Sequence, residues 1–142
     1  MKNNICFSVN MKIINIICKV LFGLIIAMPM IGALGVFPPP TPDLYNTAEA
    51  YDFIIALTNV GYITAIMAVV CFASIVLMFT NRMALVALLM LPITVNVVAF
   101  HAVIDGGLFT AGASLGNLML ILNVYFLWQN RAKYKVLLEK GS

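Results

Sequence analysis

Apolar residues fill four long stretches of the chain, 20–37, 53–81, 83–104 and 106–130, and none of them holds an Asp, Glu, Lys or Arg. A charge at the middle of a bilayer costs at least ~2.5 kcal/mol, so uncharged runs of this length mark membrane spans. A spanning helix needs roughly 20 mostly apolar residues, and the first stretch reaches that length once Ile16, Ile17 and Cys18 are added. The pattern predicts an all-α polytopic membrane protein, a bundle of four transmembrane helices over about 13–37, 53–80, 83–104 and 109–128. These spans form one domain over 12–130. An N-terminal cytoplasmic extension (1–11) precedes it and a basic cytoplasmic tail (131–142) follows it.

Local signals mark the joints. Lys19 snorkels toward the inner headgroups, and Pro29 removes a backbone hydrogen bond and kinks span one. Gly32 and Gly35 then permit close helix contact, and Pro38-Pro39-Pro40 must leave the helix as polyproline II. Thr41-Pro42-Asp43 reads as a helix start, opening a short external amphipathic helix over 43–52 with Leu44, Tyr45, Ala48 and Tyr51 on one face. Asn81-Arg82 is a very short inner turn, so spans two and three are antiparallel neighbours. Span three is interrupted at Pro92, and Asp105-Gly106-Gly107 makes a tight outer turn. Span four carries Gly112-x-x-x-Gly116 as a close-packing face within the bundle, with Tyr125 and Trp128 at the inner aromatic belt.

Composition fits lipid as the surrounding solvent. Hydrophobic residues make up 63% of the chain and charged residues 9%, against about 25% charged in a soluble domain. The net charge of +3 is modest, but it is sorted by side. With four spans, Lys2, Lys12, Lys19, Arg82, Arg131, Lys133, Lys135 and Lys140 share one face of the membrane. Asp43, Glu49, Asp52 and Asp105 share the other. The positive-inside rule puts both termini in the cytoplasm. Beside a membrane the basic tail holds topology and meets anionic headgroups, so it does not indicate nucleic acid. Lys12, Lys19 and Ile31-Gly32-Ala33 resemble a signal peptide, but the apolar run is long for one and is read as a retained span. Cys6, Cys18 and Cys71 form no C-x-x-C pair and no metal spacing, and no disulfide is expected among them.

The polar groups that remain are few. At 100° per residue Thr94, His101 and Asp105 share a stripe on span three, while Asn96 points roughly opposite. His101 and Asp105, one turn apart, form either a proton relay or cation site, or an interfacial histidine beside a turn aspartate. The second reading is favoured, because ionisable groups near helix ends reach water. Asn96 is expected to be a buried amide, with Asn59, Thr64, Asn117 and Asn123 as candidate partners and packing specificity as its role. A polar ligand cavity is the alternative. Cys71 is expected to be an inert buried thiol. No catalytic set, metal site or cofactor motif is evident, and a quinone has no motif of its own here.

The segment Leu91-Pro-Ile-Thr-Val-Asn-Val-Val-Ala-Phe-His-Ala-Val-Ile-Asp105 resembles the Pro–Asn–Phe–His–Asp string of DoxX-like membrane proteins. Lys19, Pro38–Pro40, Gly61-Tyr62, Arg82 and Tyr134 extend the resemblance over about residues 19–138. It implies a four-helix protein of the bacterial inner (plasma) membrane, carrying over Pro92, Asn96, Phe100, His101 and Asp105. Some such proteins are membrane subunits in thiosulfate:quinone oxidoreduction or thiol-redox defence. Two departures stand out: Cys71 where many have Glu, and Leu34-Gly35 where Asn-Lys is common. The expected function is a non-catalytic membrane subunit or anchor of a redox-associated complex, with a soluble oxidoreductase as partner. The alternative is a carrier or binder of a small lipophilic molecule (quinone or lipid), entering between spans one and three. An enzyme using His101 and Asp105 ranks below both. A homo-oligomer is compatible with each.

Overall fold

In hydrocarbon a chain must satisfy its own backbone, and a long apolar run does so as a helix. The structure, a computed structural model, describes the backbone of residues 2–138 and the side chains of residues 11–135. It is all-α, with no strand among the described residues. In chain order come α1 (Lys2–Ala33), a 3-10 turn (Pro42–Leu44), α2 (Ala48–Val60), α3 (Tyr62–Phe79), α4 (Met83–Val103), α5 (Ala113–Gln129) and α6 (Arg131–Leu138). Three helices are long and apolar enough to cross a membrane: the Met11–Ala33 part of α1, then α3 and α4.

Several expected boundaries move. Span one ends as a helix at Ala33 rather than 37, because Gly35 adopts φ +72° and its N–H bonds back to the Gly32 carbonyl at 2.9 Å. The Phe37 ring folds onto Gly32, 3.3 Å from where a Cβ would stand. The close helix contact expected at Gly32 falls instead at Gly23, against Met78. The single helix expected over 53–80 is two helices, broken at Gly61, whose φ of 73° no ordinary helical residue adopts. Pro92 does not interrupt span three, since α4 runs through it; the Leu88 carbonyl simply loses its usual i+4 N–H partner. The last long helix starts at Ala113 rather than 109, because residues 105–112 are spent in turns.

The external helix also shifts. Thr41 heads only the 3-10 turn and makes no side-chain cap, whereas Thr47 Oγ1 accepts the Ala50 N–H at 3.1 Å and starts α2. Thr47→Ala is expected to cost about 1 kcal/mol for the lost cap. The cost should read out as a lower midpoint of unfolding in mild detergent that Thr47→Ser restores.

α1 packs on α3 and α5, and α4 packs on the same two helices. Between them Phe22, Ile26, Val86, Met90 and Phe126 are fully buried, with the Phe22 and Phe126 ring centroids 5.7 Å apart. The molecule has two unlike ends. The Asn81-Arg82 turn, where Asn81 takes φ 58°, receives the Lys19 ammonium at 3.4 Å on Asn81 Oδ1. α1 continues past that turn, with Ile13, Ile14, Ile16 and Ile17 about half exposed. The opposite end carries Asp105 and the 3-10 turn.

Candidate functional site

At the Asp105 end, α4 stops because Gly106 and Gly107 take φ 79° and 111°. The reversal turns Gly107 N–H onto the His101 carbonyl at 2.8 Å and leaves Asp105 facing inward, 2% exposed. Its carboxylate is shared. Oδ2 lies 2.8 Å from His101 Nδ1, one turn back on α4, and Oδ1 accepts the Asn46 backbone N–H at 2.8 Å. Asn46 Nδ2 in turn donates to the Asp105 carbonyl at 3.2 Å, and Thr47 Oγ1 donates to the Ile104 carbonyl at 2.6 Å. The connection into α2 is thereby clamped to the end of α4. The acidic residues expected nearby do not join; the contacts come from the amide and hydroxyl of residues 46 and 47.

Burial pushes the Asp105 carboxyl up, but the Asn46 N–H and the His101 ring outweigh it and hold the group below the usual carboxylate range. The ionised carboxylate can only accept, so His101 Nδ1 is the donor in this contact. In the neutral ring Nε2 keeps its lone pair, and among the described residues it has no hydrogen-bond partner. Gly112 and Gly116 make room for this pair. A Cβ on Gly112 would stand 3.4 Å from Asp105 Oδ2, and one on Gly116 3.1 Å from Val97 and 3.4 Å from His101 Cδ2. The small-residue motif of α5 is thus the seat of the His101–Asp105 pair as well as a helix contact.

Asn96 lies elsewhere. It points away from the Thr94–His101–Asp105 stripe, as its angle on the helix dictates, and it is exposed rather than buried. It meets none of its expected partners. Asn59 is exposed on α2, and Asn117 donates to the Leu108 carbonyl at 2.6 Å, steadying the turn before α5. The buried amide of the core is Asn123, whose Nδ2 donates to Thr94 Oγ1 at 3.3 Å while its Oδ1 has no partner. Thr94 itself donates to the Met90 carbonyl at 2.9 Å. Cys71 is fully buried and, like Cys18, a free thiol; Cys6 lies outside the described side chains.

Asn96 and Pro92 instead line a groove of about 440 Å³ between α2, α3 and α4. Its walls are Phe53, Ile54 and Leu57 from α2, Ile63 and Met67 from α3, and Ile93, Val97 and Phe100 from α4. Asn96 is the only polar side chain in this lining. The break at Gly61 lets α2 and α3 approach the groove as separate walls. Phe100 joins the two features, with its ring 5.8 Å from Phe53 and edge-on to His101 at 5.1 Å. Pro29, expected to kink span one beside an entry between spans one and three, is inside α1 and is not among the groove residues.

Sequence reasoning missed Asn46, Thr47 and the groove. A Thr followed by Glu49 ahead of an apolar run was a readable cap signal at Thr47. Asn46 carried none. Among the described residues, no three His, Cys, Asp or Glu side chains converge as a metal ion would require. No family model matches the chain, and no curated protein or solved structure matches it.

Proposed function

We propose that this is a four-span membrane protein whose lateral groove binds a lipophilic molecule with a hydrogen-bonding head, of the quinone or lipid class. The observation that carries this reading is Asn96, an amide offered to an otherwise apolar groove of about 440 Å³. A polar side chain at this depth in hydrocarbon is costly without a partner, and intramembrane polar groups are commonly functional. Its NH₂ can donate to a carbonyl head and its oxygen can accept from a hydroxyl. An apolar pocket with one placed polar group fixes the orientation of such a ligand and leaves its tail in the lipid.

The topology belongs to the same proposal. α5 has 17 residues and a length of roughly 25 Å, and it packs along α1 and α4, which supports it as the fourth span of a bundle. The sorted charges put both termini in the cytoplasm and the His101–Asp105 clamp on the outer side. The DoxX-like string of Pro92, Asn96, Phe100, His101 and Asp105 supports the reading from the sequence. A membrane subunit that presents a quinone to a soluble oxidoreductase would need such a groove.

Native mass spectrometry of protein released from mild detergent tests the groove. Wild type is expected to retain a quinone or lipid adduct. Asn96→Leu should hold it about tenfold more weakly, the equivalent of one hydrogen bond in an apolar setting. Equal retention by the two proteins, or none by either, overturns the reading.

A further inference from the structure

We infer that α6 and the Trp128 end of α5 form a docking surface for the headgroups of anionic phospholipids. α6 does not trail away from the helices. Asn130 Nδ2 donates to the Phe126 carbonyl at 2.8 Å at the joint, and Tyr134 Oη donates to the Ala84 carbonyl at 2.9 Å near the start of α4. The first bond caps the end of α5, and the second ties the basic helix to the bundle near the Asn81-Arg82 turn that precedes α4.

Trp128 is largely exposed, and its indole marks the depth of the lipid headgroups. The Arg131 guanidinium lies 4.5 Å above that ring and donates Nη1 to the Trp128 carbonyl at 3.0 Å, which fixes a planar donor fork at the same depth. Lys133 and Lys135 are exposed on either flank of the Tyr134 anchor. Lys19 and Arg82 add positive charge at this end. Among the described residues no Asp or Glu stands at this end of the molecule, since Asp43, Glu49, Asp52 and Asp105 all belong to the other end. A cationic surface fixed at headgroup depth complements a phosphate-rich leaflet.

Trp128 is the chain's single tryptophan, so its emission reports on this surface alone. The full chain is reconstituted in phosphatidylcholine vesicles carrying an equal minor fraction of acyl-brominated phosphatidylglycerol or of acyl-brominated phosphatidylcholine. Brominated phosphatidylglycerol is expected to quench Trp128 several-fold more effectively. Removing both lysines (Lys133→Gln with Lys135→Gln) should bring that preference close to equal quenching by the two lipids, while Lys→Arg at both sites keeps it. Equal quenching by the two lipids in wild type, or a preference undiminished in the Gln variant, overturns the inference. Both positions are exposed, so neither variant threatens the fold.

Discussion

Asp105→Ala is expected to cost about 3 kcal/mol of stability, since each buried donor left without its acceptor costs roughly 1–3 kcal/mol. The substitution strands three groups at once. Asn46 loses the acceptor for its backbone N–H, His101 Nδ1 loses its acceptor, and the turn that Gly106 and Gly107 make possible loses its inward anchor. Unfolding in mild detergent, followed through SDS titration, should show the full loss. Asp105→Asn keeps an acceptor for Asn46 and should cost less. The two variants also separate charge from hydrogen bonding through pH. The Asp105 carboxyl is held below the usual carboxylate range, so the stability it contributes is present above about pH 4, its unfolded value. That contribution is lost as pH falls through the lower, folded value. Wild type should therefore weaken in that acid window more steeply than Asp105→Asn, whose amide does not titrate. Parallel profiles would remove Asp105 as the source.

Phe126→Ala is the second large effect, expected at about 3 kcal/mol. Phe126 is fully buried against Phe22 with ring centroids 5.7 Å apart. Lipid tails are as apolar as the side chain, so hydrophobic transfer from water contributes little between helices in a membrane. What is lost is packing: the ring's dispersion contacts vanish and a cavity is left among α1, α4 and α5. Phe79→Ala is the control. Its ring is 84% exposed, and the change should fall within about 0.5 kcal/mol. Similar costs at the two positions would contradict this placement of the core.

The long apolar helices were legible because charge in hydrocarbon is penalised so heavily that its absence outlines α3, α4 and the part of α1 after Lys19. The break at Gly61 was not. A glycine in an apolar run is ordinary in membrane helices, and only a positive φ, which no residue type forces on glycine, separates α2 from α3. The angular reasoning on span three placed Thr94, His101 and Asp105 together and Asn96 opposite, and the fold keeps that arrangement. It did not tell which side is buried. α4 carries apolar residues on every face, with Val86 and Met90 inside and Leu85 and Val95 outside, so no stripe marks the core. The buried amide was therefore assigned to Asn96 when it is Asn123. The His101–Asp105 contact followed from their one-turn spacing, whereas the contribution of Asn46 depends on how the distant 34–47 segment folds back, which no local pattern encodes.

In the proposed topology, four crossings of the membrane put the His101–Asp105 clamp on one side and the basic α6 on the other. Single cysteines at positions 43, 81 and 133, in a chain whose own Cys6, Cys18 and Cys71 are replaced, test it in intact cells with a membrane-impermeant maleimide. Asp43→Cys should label from outside. Asn81→Cys and Lys133→Cys should label only after the membrane is permeabilised. Labelling of Lys133→Cys from outside would mean that α5 does not cross, and labelling of Asn81→Cys from outside would invert the topology.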